Sequence, residues 1–167
     1  GAIGQAVARR AAGFNMKVIG WTPSGREVPG VDSVSLEELL LRSDFVSVHL
    51  ALAPQTHNLL DAAKIATMKP GAVLVNTARG GIVDESALAA ALDSGHLYAA
   101  GLDVFEREPI EASNPLLQHP RVVVVPHIGS ATTLTRAKMV DIAVNNAASA
   151  LLGQPMPHCV NPEVYAA

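Results

Sequence analysis

Apolar runs of strand length alternate along this chain with segments whose apolar residues recur every three or four positions. Ile3, Val7 and Ala11 share one face of a helix expected over residues 3–12, with Gly13 placed to end it. KVIGW, residues 17–21, reads as a strand, and a Pro/Gly-rich loop follows it. Ser35 with Glu38 three positions later makes a capping-box pattern for SLEELLLRS, and FVSVHL, residues 45–50, is a second strand. A short helix over 61–68, the strand AVLVN at 72–76, a helix over 84–94 capped by Asp84, and the strand AAGLDV at 99–104 continue the series. Four valines at 122–125 close it. A final helix is expected at about 131–152, and GQPMPHCVNPEVYAA is a Pro-rich tail without helical periodicity.

Strands that are apolar throughout and separated by helices imply a parallel sheet covered on both faces by right-handed crossovers, a doubly wound α/β domain. In such sheets the ligand sits outside the carboxyl ends of the strands. The residues there are polar: Thr22, His49, Thr77 with Arg79, Asp103 and His127, with His49 and Asp103 expected inside their strands.

Composition narrows the function. A chain of 167 residues, 49% hydrophobic, is long enough for one domain with a substantial core and a short appendage. A net charge of -3 with 12 Lys and Arg argues against a nucleic-acid surface and leaves small molecules or proteins as partners. Cys159 is the single cysteine, so no internal disulfide or cysteine zinc cage can form, which fits a reducing compartment such as the cytoplasm. No apolar run approaches the roughly 18 residues of a membrane span, and residues 1–20 lack a signal-peptide layout. His49, His57, His96, His119 and His158 fall at no metal-ligand spacing, so no metal is expected.

GAIG at residues 1–4, opening a helix that leads to a strand, matches the second half of a Gly-x-Gly-x-x-Gly dinucleotide fingerprint. Gly1 would let backbone approach a pyrophosphate, the N–H groups of Ala2 and Ile3 would point at its oxygens, and Gly4 would allow close helix–sheet packing. Two glycines before a helix also make a plain turn, and the motif alone leaves both readings open.

Three longer motifs follow in order: VNTARGGIVDESAL (75–88), GLDVFEREP (101–109) and PHIGSAT (126–132). Together they resemble the D-2-hydroxyacid dehydrogenase family, which includes phosphoglycerate dehydrogenases and glyoxylate/hydroxypyruvate reductases, from Gly1 to about Pro162. Members of that family carry an N-terminal segment that builds most of a substrate domain and the first strand of the dinucleotide-binding sheet. The resemblance therefore implies roughly the C-terminal half of a subunit: residues 1–152 as a dinucleotide-binding domain lacking its first strand, and 153–167 as a tail returning toward a missing domain. Such a piece is expected to be inactive alone.

The resemblance also assigns roles. Arg79 matches the arginine that holds a 2-oxo acid's carboxylate and polarises its carbonyl, which suits a planar guanidinium followed by two glycines. His127 matches the acid/base, giving a proton to the carbonyl oxygen on reduction and accepting one on oxidation. Its imidazolium needs a carboxylate partner. DVFEREP offers Asp103, Glu106 and Glu108; the family match falls on Glu108, while Asp103 matches the residue that orients the nicotinamide carboxamide and Glu106 is expected to face solvent. Thr77, Ala78 and the HIGS backbone with Gly129 and Ser130 are expected on the nicotinamide side. Thr56 resembles a cofactor-side threonine, although Ala51 and Ala53 replace residues usual in its loop. The long final helix, with Ala143, Ala147 and Ala150 on one side, is expected to pack into the core, and a homodimer is plausible.

Cofactor choice rests on the first loop. An NAD enzyme places an acid about 20 residues beyond the glycines. Here Thr22 stands there, no Asp or Glu precedes Glu27, and Arg26 is placed to hold a 2′-phosphate, so NADPH is expected over NADH. A non-catalytic, corepressor-like relative of the same fold is the alternative, against which the joint presence of Arg79, Glu108 and His127 counts.

Overall fold

A computed structural model describes residues 1–165, which form two compact units, the first ending at His127 and the second beginning at Ile128. The first unit is α/β, with parallel strands flanked by helices. Its elements are α1 (Ala2–Gly13), β1 (Ile19–Gly20), β2 (Asp32–Ser33), α2 (Leu36–Arg42), β3 (Phe45–Val48), α3 (Ala62–Thr67), β4 (Val73–Asn76), α4 (Glu85–Asp93), β5 (Ala99–Leu102) and β6 (Val122–Val124). A 3-10 turn, Pro115–Leu117, precedes β6.

Local hydrogen bonds start the helices, at Ser35 and Asp84 as expected and also at Asp61. The Ser35 hydroxyl accepts from the Glu38 N–H, the Asp61 carboxylate from Lys64 and the Asp84 carboxylate from Ala87. The end of α1 differs from expectation. Gly13 remains helical, Phe14 caps it, and the left-handed turn falls on Asn15 (φ 57), whose short amide side chain tolerates that region.

The strands form two sheets rather than one: β1 pairs only with β2, and the second sheet has the order β3-β4-β5-β6, all parallel. The expected strand over residues 17–21 shrinks to two residues, and β2 lies in a segment read as loop. Asp32 and Ser33 are both exposed and show no apolar signal. His49 and Asp103 lie just past the ends of their strands.

Burial is uneven between the faces of the sheet: Val73, Val75, Ala99 and Gly101 on the second face are half-buried. Register places Val46 beside Leu74 and Ala100, and Val48 beside Asn76 and Leu102, on one buried face, where Leu40 of α2, Ile65 of α3, and Leu88 and Leu92 of α4 join the core. The opposite face carries Phe45, Ser47 and Val123, all exposed.

The second unit contains α5 (Thr133–Leu151), begun by Thr132, and a 3-10 turn at Pro162–Tyr165. Core packing of α5 is not observed. None of its residues is buried, and Met139, Val140 and Val144 are exposed. The tail is tied to this helix, since the Asn146 amide accepts from the His158 N–H at 3.0 Å and donates to the His158 carbonyl at 3.3 Å. Among the described residues no helix is long and apolar enough to cross a membrane.

Candidate active site

Three turns at the carboxyl edge of the four-stranded sheet carry the candidate residues. After β4, Asn76 is 2% exposed, and its side chain builds the first of them: its Oδ1 accepts from the Ala78 N–H at 3.1 Å, and its Nδ2 donates to the Arg79 carbonyl at 2.9 Å. This folds Thr77–Arg79 into a tight loop with Thr77 and Arg79 exposed. Gly80 follows where nothing larger fits, since a Cβ there would stand 1.9 Å from the carbonyl carbon and oxygen of Phe105. The turn bearing Arg79 therefore lies directly against the backbone of the segment after β5.

That segment carries Asp103, Glu106 and Glu108. Asp103 is buried at the strand end, and its N–H donates to the Asn76 carbonyl at 3.0 Å. Glu106 is largely exposed, 4.0 Å from His57. Glu108 Oε1 accepts from the Phe105 N–H at 3.0 Å, while its Oε2 lies 2.7 Å from His127 Nδ1. His127 occupies the left-handed region at φ 51, with its N–H donating to the Val125 carbonyl at 3.1 Å. A non-glycine residue held there costs free energy and is found disproportionately at functional sites.

The electrostatics of the pair are consistent with its geometry. The hydrogen bond from His127, then that from the Phe105 N–H, and the positive field of Arg79 outweigh desolvation and hold the Glu108 carboxyl below its ordinary value. An ionised carboxylate can only accept, so Nδ1 of His127 carries the proton toward Glu108 and Nε2 is left for chemistry. Such a pair can deliver a proton from an imidazolium whose charge a fixed carboxylate balances.

A cavity of about 1250 Å³ in the same unit runs between β1 and β3. Gly1, Gly4, Thr22 and Arg26 all line it, as does Thr56. Gly4 packs closely on His49, whose Cβ would be 3.2 Å from a Cβ at residue 4, and α1 begins without a side-chain cap at Gly1. Burial pushes the His49 imidazole below its ordinary value. The Thr56 hydroxyl is used inside its own loop, donating to the Ala51 carbonyl at 2.7 Å and accepting from the Ala53 N–H at 2.8 Å. Thr22 Oγ1 donates to the Arg26 carbonyl at 3.3 Å, which curls the loop so that Thr22 and Arg26 line the same cavity. Ala2 and Ile3 supply the first turn of α1, and Gly129 and Ser130 belong to the second unit.

His96 and His119 do structural work, through the Ile65 carbonyl and the Arg121 N–H. Among the described residues no group of three or more His, Cys, Asp or Glu side chains is placed to hold a metal ion. Sequence reasoning passed over Asn76 and Glu85. The signal for Asn76 is a polar residue ending an apolar strand just before TARGG; an acid at the first position of a helix is too common to single out Glu85.

The profile of the D-isomer specific 2-hydroxyacid dehydrogenase NAD binding domain matches residues 1–129. Glyoxylate/hydroxypyruvate reductase B of Citrobacter koseri is 47% identical over 169 residues, covering 98% of this chain and 52% of that protein. The TT0316 protein of Thermus thermophilus superposes with a TM-score of 0.91 at 47% identity, over 96% of this chain and 51% of that one. An acyclic imino acid reductase in complex with NADPH and D-Arg gives 0.83 at 36% identity, over 93% and 50%. This chain spans about half the length of the curated relatives it matches. With the profile covering 129 residues and the Arg79, Glu108 and His127 turns gathered in one unit, the chain belongs to the D-isomer specific 2-hydroxyacid dehydrogenase family.

Proposed function

We propose that this chain is the nucleotide-binding part of an NAD(P)-dependent oxidoreductase that transfers a hydride between the nicotinamide and the carbonyl carbon of a small 2-oxo acid, of the glyoxylate, hydroxypyruvate or phosphoglycerate type. The observation that carries the proposal is the 2.7 Å pair of His127 with Glu108, inside the field of Arg79. In this reading Arg79 holds the substrate carboxylate through its planar fork. His127 gives its proton to the carbonyl oxygen as the hydride arrives, and Glu108 stabilises the imidazolium until then. The cofactor supplies the hydride. The protein residues that would hold it are the first-turn N–H groups of α1 for the pyrophosphate, Thr22 and Arg26 for the adenosine ribose, and Thr77, Ala78 and Asp103 for the nicotinamide side. Thr56 contributes by shaping its loop.

The cavity between β1 and β3 supports an incomplete sheet. Both strands face it, β3 stands at the end of its sheet order, and Gly4 lies against His49 just beyond β3. A strand leading into Gly1 would fill this slot parallel to β3 and join the two sheets into one. The 167-residue chain by itself should accordingly show no turnover, whereas the complete subunit, a cytoplasmic homodimer using the apolar face of α5, should.

Thr22 and Arg26 line the cavity together with no acid among its lining residues between Gly1 and Val31, which favours NADPH. One charge-assisted hydrogen bond to a 2′-phosphate, about 1.5–3 kcal/mol, corresponds to a preference of about tenfold or more. The test is kcat/KM of the complete subunit for glyoxylate and hydroxypyruvate with each cofactor. A tenfold preference for NADH would refute the role of Thr22 and Arg26, and absence of turnover with any 2-oxo acid would refute the reaction.

A further inference from the structure

The Phe105–Glu106 peptide is gripped from two sides. Gly80 lies against it at a distance that excludes a Cβ. From the other direction Glu85, the half-buried first residue of α4, accepts from the Glu106 N–H at 2.6 Å through Oε1 and from Asn114 Nδ2 at 2.7 Å through Oε2. Asn114 is itself fixed, because its Oδ1 accepts from the N–H of the wholly buried Leu116. Glu108 is next along this path, accepting from the Phe105 N–H and from His127 Nδ1. Two sets of hydrogen bonds, joined through the Phe105 backbone, thus connect α4 to the histidine ring.

We infer that Glu85 is a positioning residue for His127: by holding the Phe105–Glu106 backbone in place it sets where Glu108 presents its second oxygen to the imidazole. The inference rests on the reaction proposed above. A carboxylate in the first turn of a helix is favoured by the helix dipole alone. That field, however, orients no particular oxygen, and α4 already has its cap in Asp84. Both Glu85 oxygens are instead committed to donors in the segment 106–114. The other charged groups of the hollow are engaged elsewhere, Arg107 pairing with Glu111 and Glu106 lying 4.0 Å from His57; Arg79 acts on Glu108 from the β4 turn.

The prediction concerns the complete subunit. Glu85→Ala should lower kcat for glyoxylate reduction by about ten- to a hundredfold, as sub-ångström to ångström displacement of a catalytic group does. KM should stay near the parent value, because Arg79 is anchored independently by Asn76. Glu85→Gln retains one carbonyl oxygen for the Glu106 N–H and should recover part of the loss. Glu106→Ala keeps that N–H and should leave activity unchanged.

The NMR resonance of the His127 Nδ1 proton, drawn downfield by its hydrogen bond to Glu108, gives a readout that does not depend on turnover. It should move upfield in Glu85→Ala and return toward the parent position in Glu85→Gln. A subunit that reduces no 2-oxo acid would overturn the proposed reaction while this resonance still decides the role of Glu85. An unmoved Nδ1 resonance in Glu85→Ala, or a Gln variant no better than Ala, would overturn the inference.

Discussion

Replacing Gly80 by Ala adds a single methyl group at the point where the two halves of the site touch. Its Cβ would stand 1.9 Å from both the carbonyl carbon and oxygen of Phe105 and 2.3 Å from the Glu106 nitrogen, whereas ordinary contact begins near 3.4 Å. The two segments must separate by about 1.5 Å, the difference between 3.4 and 1.9. No rotamer change can relieve this, because every obstructing atom is backbone. The backbone in question leads out of buried Asp103, Val104 and Phe105, so it cannot swing freely into solvent. Overpacking of this kind costs about 1–3 kcal/mol. A displacement of about 1 Å between Arg79 and Glu108 costs about a hundredfold in rate. In the complete subunit, Gly80→Ala should therefore lower kcat/KM for the 2-oxo acid by about 10²-fold. The urea midpoint should fall in proportion to a loss of about 1–3 kcal/mol. A variant with the parent's midpoint and the parent's kcat/KM would show that the contact between the two turns is not rigid, and the geometric coupling argued above would fail.

Other outcomes follow from the same geometry. His127→Ala should reduce kcat by about 10²–10⁴-fold, the usual range for loss of a general acid/base, and Arg79→Ala should also raise KM for the keto acid; steady-state kinetics showing either residue dispensable would remove it from the mechanism. Because the carboxyl of Glu108 is held below its ordinary value, its contribution to stability is fully present above the usual carboxylate range and is lost as pH falls through the lowered value. The stability difference between parent and Glu108→Gln should accordingly be constant near neutrality and shrink in acid, a modest effect since the side chain is 38% exposed. Urea unfolding at several pH values checks this, and a difference that grows on acidification would contradict it.

What was legible in the sequence was whatever acts over a few residues. The 3.6-residue and continuous apolar patterns located α1, α2, α4 and the strands β3 to β6, and Ser35 and Asp84 marked helix starts because a cap bonds only to the next turn. Strand ends came out two residues too long, at His49 and Asp103, since apolar character does not stop where pairing does. β2 was missed for the converse reason: two exposed polar residues pair through backbone alone. The three motifs carried the family and placed Arg79 and His127 at the sheet's carboxyl edge.

The tertiary structure decided the rest. Of Asp103, Glu106 and Glu108, spacing could not say which reaches a histidine 19 to 24 positions away, because the answer depends on how the chain from Val104 to Val122 closes back on β5. Uneven burial of the sheet's two faces, the absence of buried residues on α5, and the close approach of Gly80 to Phe105 are likewise relations between segments distant in sequence. Local pattern determines which way a side chain faces on its own element. Only the packing of elements determines what it meets there, and the Glu85, Glu108 and His127 relay exists at that second level alone.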